Sequence, residues 1–269
     1  MWPIVALAGP TCTGKTAVGA AAAVQTGAIT LPLDQLQRYN HLKEGVGFDE
    51  KALRGEHKGY QVLSPWEVSG PAKYEAWLKS TIPVEARAHP VLLEGGCTSY
   101  LMRILAAQST DPILGRIQIL ALDAPADPEV AVSRIRATYD EEKVRLIVQE
   151  VSDLEKMGFI SEAGLPFLEE CEGLFVHPER EDRNLAWAIR ISARVYCPAY
   201  LALKGRIDPT SARERIIRNV RDIQVYQQRR VKTCLPANQI IAYERSWLDV
   251  DRLVRNLEGV RTDRHGTEL

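Results

Sequence analysis

Short apolar runs separated by helical periods mark the first half of the chain. The runs at 3–8, 28–33, 91–94 and 117–122 read as strands. Runs of this kind alternating with helical patterns predict a parallel sheet covered on both faces. Ala17-Val-Gly-Ala-Ala-Ala-Ala-Val24 reads as a helix despite Gly19. The segment 40–75 is polar and rich in Gly, Pro and Lys, so it reads as loop with a short helix. Asp127-Pro-Glu129 opens a helix with acid in its first turn, which suits the helix dipole, and that helix carries Arg134 and Arg136.

From 141 onward the pattern is helical. Ser211-x-x-Glu214 forms a capping box before a basic helix running to about 231, and Ser246 to Leu257 reads as a further helix stopped by Gly259. The predicted division is an α/β core over 1–140, a helical lobe packed on it over 141–260, and a charged, disordered tail over 261–269. Apolar residues make up 45% and charged residues 26%, an ordinary globular balance. The net charge of −1 gives no global field that would draw the protein onto nucleic acid, although a local basic face stays open. The five cysteines are scattered, without a C-x-x-C pair, and the five histidines show no ligand spacing with them. No apolar stretch reaches the length of a bilayer span and no leader pattern opens the chain, so the expected location is the reducing cytoplasm, away from membranes.

Between the first strand and the first helix lies Gly9-Pro10-Thr11-Cys12-Thr13-Gly14-Lys15-Thr16, which fits G-x-x-x-x-G-K-[ST]. Gly9 and Gly14 let the backbone turn its N–H groups inward on a phosphate, and the helix N-terminus adds partial positive charge. Lys15 supplies a full charge, and the Thr16 hydroxyl is placed to hold Mg²⁺. The predicted fold class is therefore α/β, a P-loop NTPase-like parallel sheet covered by helices, with a mostly helical C-terminal lobe. Asp34, Glu94 and Asp123 fall at carboxyl ends of strands, where open α/β sheets carry their ligands. Glu94 is a candidate to hold the metal through water. On the residues alone Asp34 serves equally as a helix N-cap or as a proton acceptor with a burial-shifted pKa.

Three motifs in order, the phosphate loop, Leu33-Asp34-x-x-Gln37 and Leu92-Leu-Glu94-Gly95-Gly96, resemble the isopentenyltransferases. The resemblance extends through Trp187-Ala-Ile-Arg190-Ile-Ser-Ala-Arg194 and covers roughly residues 3 to 200. The Leu-Glu-Gly-Gly form and Cys12 look most like the bacterial adenylate dimethylallyltransferases of cytokinin synthesis. That resemblance implies transfer of a dimethylallyl group from dimethylallyl diphosphate to the exocyclic amine of adenine in AMP. It implies a loop of residues 9–16 that cradles the diphosphate, with Mg²⁺ on Thr16 and Glu94. Asp34 would take the amine proton, Lys15 would neutralise the leaving group, and Thr11 would bond near the reacting centre. Gln37, Gly95, Arg134, Arg145 and Arg190 are the acceptor-side candidates, with Arg136 a further choice among the arginines.

Two departures bear on the acceptor. The adenylate enzymes carry Ser in a glycine turn that here reads Gly45-Val46-Gly47, and Val46 has no hydrogen bond to offer. An Arg expected just before the Ala-Ile-Arg segment is Ala186 here, with Arg183 one turn earlier. Alternatives are a tRNA dimethylallyltransferase, whose RNA would meet the helix bearing Arg213, Arg215, Arg218, Arg221, Arg229, Arg230 and Lys232, a small-molecule kinase, and a nucleotide-binding regulator without turnover.

Overall fold

The computed structural model describes residues 1–34, 36–47, 55–64, 67, 70–158, 186–236, 239–241 and 249–259, of which 186–194, 241 and 249 are described in backbone alone. Among the described residues the strands are β1 (Ile4–Ala8), β2 (Ile29–Pro32), β3 (Val91–Glu94), β4 (Ile117–Leu122) and β5 (Ile240–Ile241). They form one five-stranded sheet in the order β2-β3-β1-β4-β5, parallel at every pairing. Among the described residues the helices are α1 (Lys15–Thr26), α2 (Pro71–Glu85), α3 (Thr98–Ala107), α4 (Pro128–Thr138), α5 (Glu141–Lys156), α6 (Ala186–Leu203), α7 (Pro209–Cys234) and α8 (Asp249–Glu258).

Period-two alternation divides the sheet between two cores. Ile4, Ala6 and Ala8 of β1 face Tyr74, Leu78 and Ile82 of α2 and Tyr100, Leu101 and Ile104 of α3. Val5 and Leu7 face the other way, onto Val18 and Ala22 of α1 and Leu253 and Leu257 of α8. Burying each such Leu or Ile contributes about 1.5–3 kcal/mol. A third core, with Ile135, Val144, Ile147, Val151, Tyr196, Tyr200, Ile216 and Val220, holds α4 to α7 together.

All four expected strands are present, within a residue of their expected bounds. Three features differ from the expectations. The helix expected to start at a Ser211 capping box starts at Pro209. Asp208 is its N-cap and accepts from the Ser211 N–H at 2.9 Å, while Glu214 pairs with Arg136 instead of reaching back. Pro at the first helical position, preceded by an Asx cap, is the stronger start signal. Within 141–260, Ile240–Ile241 joins the sheet beside β4 and α8 lies against α1, so this stretch supplies sheet-layer elements as well as helices. The segment 40–75 carries two isolated bridges, Thr30 with His57 and Tyr39 with Leu63, before α2 begins at Pro71. The charged tail after 260 and the start of the last expected helix lie outside the described residues.

Candidate active site

β1 ends in the glycine loop, and the loop ends in α1. Gly9 and Gly14 have φ of 143° and 91°, and a Cβ on Gly9 would sit 2.5 Å from the Leu122 carbonyl oxygen. That separation is inside van der Waals contact, so β4 can lie this close only to a glycine. The loop braces itself: the Thr13 hydroxyl and Lys15 Nζ both donate to Pro10 O, at 2.8 and 2.6 Å. Arg134 of α4 reaches over the loop, its guanidinium 3.7 Å from where a Gly14 Cβ would stand.

Lys15 is buried and faces two carboxylates. Burial holds its amine below the ordinary lysine range, opposed by the neighbouring carboxylates, Glu94 before Asp34. Burial likewise pushes the Glu94 and Asp34 carboxyls up, with Lys15 pulling both back. Asp34 Oδ1 accepts from the Leu36 N–H at 3.0 Å. Of the two roles left open for Asp34, the structure shows the cap, made by the same carboxylate that the site would use. Gly95 makes this possible: a Cβ there would lie 2.5 Å from the Leu33 carbonyl carbon and 2.6 Å from the Asp34 nitrogen. Burial also raises the Cys12 thiol pKa, which leaves it a poor nucleophile.

Thr16 Oγ1 lies 3.3 Å from Glu94 Oε1, and Glu94 Oε2 is buried with no hydrogen-bond partner. A hydroxyl beside an orphaned carboxylate oxygen suits Mg²⁺, which takes one or two protein oxygens and fills its shell with water and phosphate. No group of three or more His, Cys, Asp or Glu is placed to hold a metal among the described residues.

Other expected residues fare unequally. Gln37 is buried, and its Oε1 has no partner, which keeps it a candidate for holding an acceptor. Arg145 is not brought to the site: it is exposed on α5 and pairs with Glu142 one turn away, at 2.6 Å. Helical position alone did not reveal which way that side chain faces. Arg190 lies on α6, where only the backbone is described, and Arg183 lies outside the described residues. Asp123 is taken up by α7, accepting from Gln228 at 2.8 Å and pairing with Lys232 at 2.8 Å.

Several neighbours carried no sequence signal. Glu150 of α5 accepts from the backbone N–H groups of Lys43, Glu44 and Gly45, the latter two at 3.0 Å, and from the Tyr196 hydroxyl at 3.1 Å. The N–H groups of the turn preceding Val46 are therefore already taken by a carboxyl group. Gln224 and Gln227 of α7 bond Thr11, and Gln227 also bonds Gly96. The basic set on α7 is partly engaged within the protein: Arg213 donates to Tyr139 O and Arg136 O, Arg221 to Gln224, and Arg230 lies over the Tyr226 ring. Among the described residues no helix is long and apolar enough to cross a membrane.

Fold and site together define a P-loop α/β protein with paired carboxylates at the strand ends beside its loop lysine. The family model described as isopentenyl transferase matches residues 3–180, well over half the sequence, and the chain belongs to that family. A tRNA dimethylallyltransferase of Desulfotalea psychrophila is 30% identical over 105 residues, covering 38% of this chain and 33% of the relative. That of Xanthomonas axonopodis pv. citri is 25% identical over 267 residues, covering 92% and 77%. The first curated relatives are matched over between 33% and 55% of their own length. The full-length tRNA isopentenylpyrophosphate transferase of Bacillus halodurans superposes with a TM-score of 0.69 at 15% identity, covering 96% of this chain and 98% of that one. The tRNA delta(2)-isopentenylpyrophosphate transferase of Staphylococcus epidermidis gives 0.70 at 14%, covering 96% and 99%. At such identities the likeness establishes the fold. These matches bear out the isopentenyltransferase resemblance. Its narrower form, toward the adenylate enzymes of cytokinin synthesis, is not shared by these relatives, which are named for tRNA.

Proposed function

We propose that this protein transfers a dimethylallyl group from dimethylallyl diphosphate to the exocyclic amine of an adenine carried in tRNA. The observation that carries the transfer reading is the set of buried Lys15 and Glu94 with half-buried Asp34 against the glycine loop. The loop N–H groups and Lys15 would take the diphosphate, and Arg134 would add a second cation. As the allylic C–O bond breaks, the leaving diphosphate gains charge where Lys15 is already desolvated, which strengthens the attraction. The adenine nitrogen forms the new C–N bond with its lone pair and gives its proton to Asp34. Mg²⁺ held by Thr16 and Glu94 would supply further neutralisation of the diphosphate oxygens.

The acceptor is argued separately. The relatives with printed activities act on tRNA by name. The turn at 43–47 supports the same choice, because Glu150 occupies its N–H groups and Val46 adds no donor. A nucleotide phosphate at that turn would meet a carboxylate. A second reading, AMP as acceptor, is favoured by the Leu92-Leu-Glu94-Gly95-Gly96 form and by Cys12. Radiolabelled dimethylallyl diphosphate incubated with bulk tRNA or with AMP separates the two. Label in the RNA fraction alone is expected. Label in AMP alone overturns the acceptor, and consumption of ATP without prenyl transfer overturns the reaction.

A further inference from the structure

We infer that Gln227 is a positioning residue that holds the donor loop in register with the Asp34 carboxylate, an inference resting on the transfer reading above. Its side-chain amide spans two loops. Oε1 accepts from the Thr11 N–H at 2.7 Å, and Nε2 donates to Gly96 O at 2.8 Å. The turn holding Gly96 is fastened to the Asp34 turn, since the Cys97 N–H donates to Leu33 O at 3.2 Å and a Cβ on Gly95 would lie 2.6 Å from the Asp34 nitrogen. One side-chain amide and the Gly95–Cys97 turn thus link the donor loop to the turn that bears Asp34. Thr11 is held from its other side too, since Gln224 Nε2 donates to Thr11 O at 2.9 Å. Gln224 is fully buried, and its Oε1 accepts from Arg221 at 2.5 Å. Both backbone polar groups of Thr11 are therefore bonded by α7.

The geometry gives this link a purpose. The donor loop follows β1 and Asp34 follows β2, with β3 between them in the sheet. Strand pairing fixes the stems of those loops and leaves the tips to be tied by something else. Transfer needs the donor carbon and the acceptor nitrogen aligned at about 3–3.5 Å, and a displacement of about 1 Å costs on the order of 10²-fold in rate. A residue joining the two tips sets that distance. Its type is constrained as well. The Thr11 N–H can only donate and the Gly96 carbonyl can only accept, so the bridging side chain needs an acceptor and a donor on one rigid group. Glutamine has both, whereas glutamate lacks the donor and leucine lacks either. Gly96 leaves no slack, because a Cβ on it would stand 3.1 Å from Gln227 Nε2.

The test uses the full chain with Gln227→Leu and Gln227→Glu. Three quantities are measured: the single-turnover transfer rate at saturating donor and acceptor, the Kd for inorganic pyrophosphate with Mg²⁺ by calorimetry, and the melting temperature. The leucine variant is expected to lose about 10–100-fold in rate, with pyrophosphate affinity changed less than about threefold. The glutamate variant keeps the Thr11 bond and loses the Gly96 bond, so a rate loss there locates the effect in the link to Asp34. A saturated rate within about threefold of wild type in both variants overturns the inference. So does a parallel fall of rate and pyrophosphate affinity, which is what simple loosening of the loop produces. Should the leucine variant fail to fold, the nearly isosteric glutamate variant decides on the same criteria. Absence of transfer by the wild-type protein, with pyrophosphate still bound, refutes the transfer reading and the positioning role together. Normal wild-type transfer with unaffected variants refutes the positioning role alone.

Discussion

Asp34 caps its turn with the carboxylate that would accept the proton in the proposed transfer, and both uses depend on its ionisation. Burial raises its pKa above the usual aspartate range, so the transfer rate should fall as pH drops through that raised value, earlier than for an exposed aspartate. The acid limb of a kcat/KM profile checks this, and Asp34→Asn should remove the limb. The same variant should bind pyrophosphate normally while kcat falls by about 10²–10⁴-fold. A near-normal kcat would assign the proton to another group. Much of this was legible in the sequence: the loop motif fixed Lys15 and Thr16, and the strand ends pointed to Asp34 and Glu94. Arg145 was not legible, because a helix of unknown rotation does not say which arginine faces the cleft. Gln224 and Gln227 were not legible either, since glutamines among arginines carry no signature until their partners, more than a hundred residues distant, are in place.

At the level of elements, capping and close approach decide the outcome. Gly95 sits where a Cβ would overlap the backbone at Leu33 and Asp34. Gly95→Ala should therefore displace the Asp34 turn, costing roughly 1–3 kcal/mol by urea denaturation and lowering transfer more than pyrophosphate binding. Asp208 caps α7, and its bonds to Ser211 depress its pKa. Its folded value lies below its unfolded one, so the stabilisation is present above the unfolded pKa and lost as pH falls through the folded one. Asp208→Ala should lower the melting temperature at pH 7, and the gap to wild type should close in acid. Four strands could be read because each is a short, mainly apolar run bounded by turn residues. β5 could not, because two isoleucines after a polar stretch make no period and owe their strand conformation to β4.

Across the whole molecule, the site is assembled from distant parts of the chain. The donor loop follows β1, its carboxylates follow β2 and β3, and its outer brace is α7. The helix leaving the loop, α1, shares a core with α8, where Leu253 and Leu257 are buried against it. Leu257→Ala should cost about 2–5 kcal/mol in chemical denaturation. It should also weaken pyrophosphate binding in the folded protein, because α1 carries Lys15 and Thr16 at its first turn. An unchanged affinity would mean that the loop is set by its own hydrogen bonds. The order of synthesis gives this arrangement another meaning. The residues that complete the cover over α1, and the glutamines that fasten Thr11, emerge from the ribosome long after the loop itself. During translation the apolar side formed by Val18 and Ala22 stays wet, and the nascent chain must be kept from sticking to its neighbours until α8 arrives.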